Sequence, residues 1–382
     1  MSLTFNATRL KDARLLRGLT QPDLADLIGV TKQAISQYEN GIVVPRGDIV
    51  INMAESLGMP LAYFSMEESN AIKTPIFFRS RKTSRKKTLE KYKVYINWVI
   101  DIYIYISNLI TLPRVKLLRK CQERYSLDEI IVIAKELRQF WGLGNGPISN
   151  LTLLLENNGF IIAKTPLQAN KVDACSLYFT SNDSSKNRPM IFLTSSTTAV
   201  RSRRDLAHEL GHQVLHSWMD QETFEANKDN IEAEADLFAS CFLMPPDAME
   251  RESFSVTSAD SLLYLKRRWG TSAQSIMYHL YTLGVLKSSL FENLKANIYG
   301  RRWRNSEPFD NEIKHEFPEL IKDALQLLVK ANVRKPREIS DELSFPIKDL
   351  AELCGLSEGF FHYSKQEKPM LRIIKNTSIT SV

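Results

Sequence analysis

Two histidines four residues apart with a glutamate beside the first, His208-Glu209-Leu210-Gly211-His212, constrain this chain more than any other feature. Residues four apart share one helix face, so a helix here aims both imidazoles at one point, where Glu209 can reach a water held by a metal. With six His in 382 residues, chance supplies about 0.01 copies of such a pattern per chain. The plain alternative is a half-buried helix with incidental histidines. Zinc bound by two His needs a third protein ligand and an open fourth position, so the fold has to bring a second element to this helix.

Residues 231–245, IEAEADLFASCFLMP, supply a candidate. Ile231, Ala235, Phe238, Phe242 and Leu243 make an apolar stripe at helical spacing, and Pro245-Pro246 stops it. Glu232 and Asp236 share one face, so Glu232 can be a metal ligand while Asp236 accepts a hydrogen bond from the far nitrogen of a ligand His. Glu234 competes for the metal, but stands about 200° around the helix from Glu232, so both cannot face it. Small Ala235 and Ala239 would let the two helices approach. Acidic residues near a helix start also suit the helix dipole without any metal.

HELGHQVLH followed by EAEADLFASCFLMP resembles the ImmA/IrrE family of bacterial and phage zinc metallopeptidases. The resemblance covers about residues 146–250, with GPISNLTLLLENNGFIIAKTPL, VDACSLYF and PMIFLTSS as the elements ahead of the active-site helix. It implies a zincin-like domain of the gluzincin type holding one Zn2+ per chain, with His208 and His212 as ligands, Glu209 as catalytic base and an acidic third ligand. Analogy with the E-x-x-A-D pattern of related zinc peptidases places that ligand at Glu232. A metzincin site would need His at position 218, which is Trp218, so His216 reads as a helix-surface residue. In such a site zinc polarises the scissile carbonyl and acidifies water while Glu209 carries the proton. Tyr178, His216 or a backbone N–H could add a donor to the transition state. Met190–Thr194 could be an edge strand that an extended substrate lies along, or an ordinary core strand.

The N-terminus carries a second pattern. In LTQPDLADLIGVTKQAISQYENG, a helix with Leu24, Ala25 and Ile28 reaches Gly29, turns, and restarts at Thr31. Gly29 suits the C-cap of the first helix, Thr31 can cap the second, and Ile35 with Tyr38 give the second its buried face. The exposed face offers Lys32, Gln33, Ser36 and Gln37. Amides and hydroxyls read base edges in the major groove, whereas Lys32 and Gln21 suit phosphates. The segment resembles the XRE family of phage-repressor-type DNA-binding domains over roughly 55 residues. That resemblance implies a five-helix domain binding double-stranded operator DNA through Gln21, Thr31, Lys32, Gln33, Ser36 and Gln37. Such domains also serve as dimerisation modules.

Composition fits this division: 43% hydrophobic and 25% charged is ordinary for globular chains, and a net charge of +6 permits nucleic-acid binding without requiring it. Arg79, Arg81, Lys82, Arg85, Lys86 and Lys87 form a basic run that either tracks phosphates or is a solvated linker. Cys121, Cys175, Cys241 and Cys354 show no paired spacing, so neither a disulfide framework nor a cysteine metal site is expected. The apolar stretch YINWVIDIYIYISNLITL carries Asp101 near its centre and reads as a buried helix, not a membrane span. With no basic-then-apolar leader in MSLTFNATRLKD, the expected location is cytoplasmic.

The expected organisation is multidomain and mainly α with a small α+β catalytic domain. Residues 1–66 form the helix-turn-helix, 67–92 a basic linker, 93–145 a helical connector, 146–250 the metallopeptidase domain with a short sheet, and 251–382 a helical region without chemical signature. Within the last, SADSLLYLKRRWGTSAQSIMYHLYTLGVL reads as two helices about Gly270 that could pack on the active site. Homodimerisation is left open. Two functions fit: an endopeptidase that cleaves an XRE-type repressor, in trans or itself, to release stress or mobile-element genes; or a DNA-binding regulator whose metal domain senses with little turnover.

Overall fold

The N-terminal helices follow from their caps. The computed structural model describes residues 4–67, 72–73, 77–80, 86–166, 172–194, 198–304 and 306–362. Helix α1 (Ala7–Arg17) starts at Asn6, whose side chain accepts from the Thr8 N–H at 2.9 Å. Helix α2 (Gln21–Ile28) starts in a capping box between Thr20 and Asp23. Gly29 ends α2 at φ +72°, a conformation that costs glycine little, and the chain turns at once into α3 (Lys32–Glu39), capped by Thr31. After α4 (Gly47–Leu57) the unit closes on a 3-10 turn, Leu61–Ser65, which is the fifth of the expected helices. Leu10, Ala13, Leu24, Ile35, Met53 and Tyr63 fill its core.

The stretch expected as a linker does more than connect. It contributes strands β1 (Ile72–Lys73) and β2 (Phe77–Ser80), and the next helix, α5 (Lys86–Ser107), already begins inside it. The apolar length of α5 is buried in protein: Trp98 stacks on Phe345 at 4.5 Å between ring centroids, and Tyr92 donates to the carbonyl of Phe192 at 2.9 Å. Its Asp101 pairs with Arg9 of α1 at 2.8 Å, as a carboxylate removed from water requires. No helix among the described residues is long and apolar enough to cross a membrane.

Helices α6 (Leu127–Phe140) and α7 (Leu151–Asn157) lead into β3 (Ile161–Thr165), β4 (Val172–Thr180) and β5 (Arg188–Thr194). The sheet runs in the order β1, β4, β5, β3, with β2 also on β4. β3 and β5 are parallel, and β4 is antiparallel to β5, β1 and β2. Period-two alternation divides the side chains between two cores. Cys175, Leu177, Phe179, Met190 and Phe192 share one with α5, whereas Ala174, Ile162, Ile191 and Leu193 share the other with the helices below. β5 is thus a central strand, and Met190–Thr194 is no edge.

The second core is built on α8 (Ala199–Gly211), α9 (Gln221–Ala226), α10 (Lys228–Leu243), α11 (Pro246–Glu252), α12 (Ala259–Trp269), α13 (Ala273–Thr282) and α14 (Ser288–Gly300). Of these, α9 only borders it through a small cluster of Met219, Phe224 and Ile231. The last helices, α15 (Leu320–Lys330), α16 (Pro336–Leu343), α17 (Ile347–Cys354) and α18 (Glu358–His362), return to the first core beside α5 and the N-terminal unit. Residues 251–362 therefore serve two cores, because their apolar faces match different partners.

Candidate metal centre and DNA-facing helix

Helix α8 carries the HELGH motif at its end and continues into a π-helical turn, His212–His216. Its partner is α10, and the two meet at glycine against alanine: a Cβ built on Gly211 would lie 3.2 Å from both Cα and O of Ala235 and 3.2 Å from Phe238. That close crossing sits one residue from His212 and three from Glu232, which sets the carboxylate against the imidazoles.

The Nε2 atoms of His208 and His212 are 3.0 Å apart. Glu232 reaches both, one oxygen 3.5 Å from Nε2 of His208 and the other 3.6 Å from Nε2 of His212. One ligand atom from each of these three residues lies within 4.8 Å of the others, a group that could hold a metal ion. Burial pushes the His212 pKa down to about 3. Burial would raise that of Glu232, but its hydrogen bonds to His208 and His212 outweigh this and hold it low. A neutral imidazole and an ionised carboxylate are the forms a divalent metal binds. His208, Glu209 and His212 are wholly shielded from solvent, while the Glu232 side chain keeps 25% of its exposure.

Behind these residues, Nδ1 of His208 lies 2.8 Å from Oδ1 of Asp236, which also accepts from Arg204 at 3.0 Å. Glu234 points elsewhere. One of its oxygens lies 3.0 Å from Nε2 of His216, and the other accepts from the Tyr125 N–H at 3.2 Å. His216 is fully buried, so its reading as a helix-surface residue is corrected: the π turn keeps it under His212, with its Nδ1 3.1 Å from that of His212 and its ring edge-on to Tyr125. The spacing 208, 212, 216 along one helix face was the available sign of this. Burial also lowers the His216 pKa, against the pull of Glu234. Tyr178 lies on β4 with the Arg119 guanidinium 4.5 Å above its ring.

In the N-terminal unit, Lys32 and Gln33 of α3 are exposed, and Ser36 and Gln37 are half-buried on the same helix. Thr31 accepts from the Ala34 N–H at 3.1 Å. Gln21 donates to Glu39 at 2.9 Å and so belongs to the buried Arg14–Glu39 pair. Of the basic run, Arg81, Lys82 and Arg85 lie outside the described residues. Lys87 donates to the carbonyl of Gly18 at 3.2 Å.

Residues 162–281 match the model of the IrrE N-terminal-like domain family. This region is IrrE-like. Residues 10–64 match a helix-turn-helix family, and no curated protein sequence matches the chain. The IrrE-like match begins within β3, runs through α8 and α10, and ends in α13, so it takes in helices α12 and α13 beyond residue 250. Those helices seat on the IrrE-like core directly, with His279 of α13 2.8 Å from the carbonyl oxygen of Met244. The helix-turn-helix match points to DNA binding, and the IrrE-like match to a metallopeptidase-like regulator.

Proposed function

We propose that the chain is a zinc-dependent endopeptidase in transcriptional control, cleaving an XRE-type repressor and binding operator DNA through its own helix-turn-helix. The observation that carries this reading is the convergence of His208, His212 and Glu232 around one point, with Glu209 on the same turn of helix. The donor set fits zinc, which takes nitrogen and oxygen ligands and keeps one position open in catalytic sites. When bound, zinc polarises a carbonyl and lowers the pKa of water.

The chain's own groups supply the rest. Glu209 is the base: its carboxylate takes the proton of the attacking water as oxygen adds to the scissile carbonyl carbon, and returns it to the leaving nitrogen as the C–N bond breaks. Asp236 accepts from Nδ1 of His208 and so leaves Nε2 as that ring's lone-pair donor. Gln33, Ser36 and Gln37 face bases, with Lys32 on phosphate. Gln21 is better explained as a brace on Glu39 than as a phosphate contact.

Cleavage of the chain itself has its own support. β4 packs on the active-site helix, and β1 and β2, which follow the helix-turn-helix in the chain, pair with it antiparallel in the manner of an extended peptide. The sensor reading is favoured by one fact, the complete burial of Glu209, since a peptide reaches it only once its cover moves. The deciding experiment compares wild type with Glu209→Gln on XRE-type repressors encoded nearby and on the chain itself. Zinc retained with cleavage reduced about 100-fold or more supports the enzyme. Zinc bound by the wild type without cleavage of either substrate supports the sensor.

A further inference from the structure

Each histidine facing Glu232 uses its second nitrogen differently. In His208 that nitrogen meets a carboxylate directly, Asp236 at 2.8 Å. In His212 it meets another imidazole, Nδ1 of His216 at 3.1 Å, and the far nitrogen of His216 then meets a carboxylate, Glu234 at 3.0 Å. Resting on the metal-site reading above, we infer that His216 and Glu234 are positioning residues that fix the tautomer of His212 for metal binding.

The hydrogen-bond directions follow from one boundary condition. A neutral imidazole has one N–H and one lone pair, so if Nε2 of His212 offers its lone pair to the metal, the proton is on Nδ1. Nδ1 of His216 must then accept, which puts the His216 proton on Nε2, where it donates to Glu234. Glu234 is an acceptor at its other oxygen too, from the Tyr125 N–H at 3.2 Å. Every link from the backbone of Tyr125 to the metal-facing nitrogen of His212 is thereby oriented. The four groups are buried or nearly so, and Tyr125 covers the His216 ring edge-on, so water does not compete for these bonds. The arrangement extends the negative charge of Glu234 to His212 through an intervening ring, where His208 has Asp236 at first hand. It also accounts for the third histidine of the stripe and the second glutamate of EAEAD, which the three-ligand site does not use.

Glu234→Gln tests this with minimal change of shape. A carboxamide cannot accept from both Tyr125 and His216: either its NH2 faces the Tyr125 N–H, or it faces His216 and reverses both tautomers, turning an N–H toward the metal. The expected result is zinc affinity weakened about 10-fold or more, with a thermal melt of the metal-free chain close to wild type. Imidazole-nitrogen NMR of the zinc-loaded wild type should place the His216 proton on Nε2. Wild-type zinc affinity in a folded Glu234→Gln chain, or a His216 proton on Nδ1, overturns the relay. If the wild type itself binds no zinc, it is the metal-site reading that fails, and the two outcomes are distinct. Should Glu234→Gln not fold, the NMR assignment on wild type alone decides.

Discussion

Gly211 of α8 lies so close to Ala235 of α10 that a side chain at 211 would meet the backbone of 235 at 3.2 Å. This contact sets the separation of the helices that carry His212 and Glu232. Gly211→Val is therefore expected to cost about 1–3 kcal/mol by overpacking and to weaken zinc binding as well. Denaturant unfolding and metal titration of the same variant check it. Unchanged values in both would mean that the helices separate freely.

Zinc should bind at one ion per chain. Glu232→Ala is expected to abolish tight binding by removing one of three protein ligands, measured by metal analysis after dialysis. Retention of a full equivalent would remove Glu232 from the site.

Arg14 and Glu39 form a buried pair in the helix-turn-helix, 2.9 Å apart at Nη2 and Oε2. Glu39→Ala leaves the guanidinium without its carboxylate and is expected to destabilise by about 3–5 kcal/mol. Chemical denaturation of the whole chain gives the value, and a loss under about 1 kcal/mol would show that Arg14 is satisfied otherwise.

DNA binding should separate two kinds of contact. Lys32→Ala is expected to lower the salt dependence of affinity by about one counterion without changing sequence preference. Gln33→Ala should relax discrimination at one base pair by about 1–3 kcal/mol. Anisotropy titrations over a salt series, on the chain's upstream DNA and on scrambled DNA, measure both. Equal losses on both DNAs for Gln33→Ala would make it a backbone contact.

His279 is buried beside the carbonyl oxygen of Met244, and burial lowers its pKa to about 4. The unfolded chain takes up this proton near pH 6.5 and the folded one near pH 4, so between those values the unfolded state holds more protons. Stability should fall as pH drops from about 6.5 to 4, by at most about 3 kcal/mol from this group. Below about 4 the loss levels off. His279→Leu should flatten the profile in that window, and parallel profiles for the two chains would exclude the effect.

Much of this was legible in the sequence because it is local. The turn at Gly29, the cap at Thr31 and the buried Leu24, Ala25, Ile28 and Ile35 depend on neighbours a few residues away and stand where the pattern put them, whereas Tyr38 is only half-buried and Glu39 is the second buried residue of α3. The helix bearing His208 and His212 was equally local, as was the stripe of α10. What failed to show was long-range. His216 reads as surface from sequence because, besides nearby His212, it meets groups distant in the chain. Its partners Glu234 and Tyr125 are 18 and 91 positions away. Strands β1 and β2 fall within the expected basic linker 67–92, since strands on a sheet edge owe their pairing to β4, a hundred residues on.

The sequence by itself determined which residues could share a helix face and which chemistry those types allow: two imidazoles, a neighbouring base and carboxylates in a second helix. Only the tertiary structure decided which carboxylate meets which histidine. Glu232 and Glu234 differ by two positions and by about 200° of helix, so the choice rests on how α10 crosses α8, and that is set by the contact of Gly211 with Ala235. Periodicity gives a residue its direction about its own helix axis; packing alone gives that axis its place.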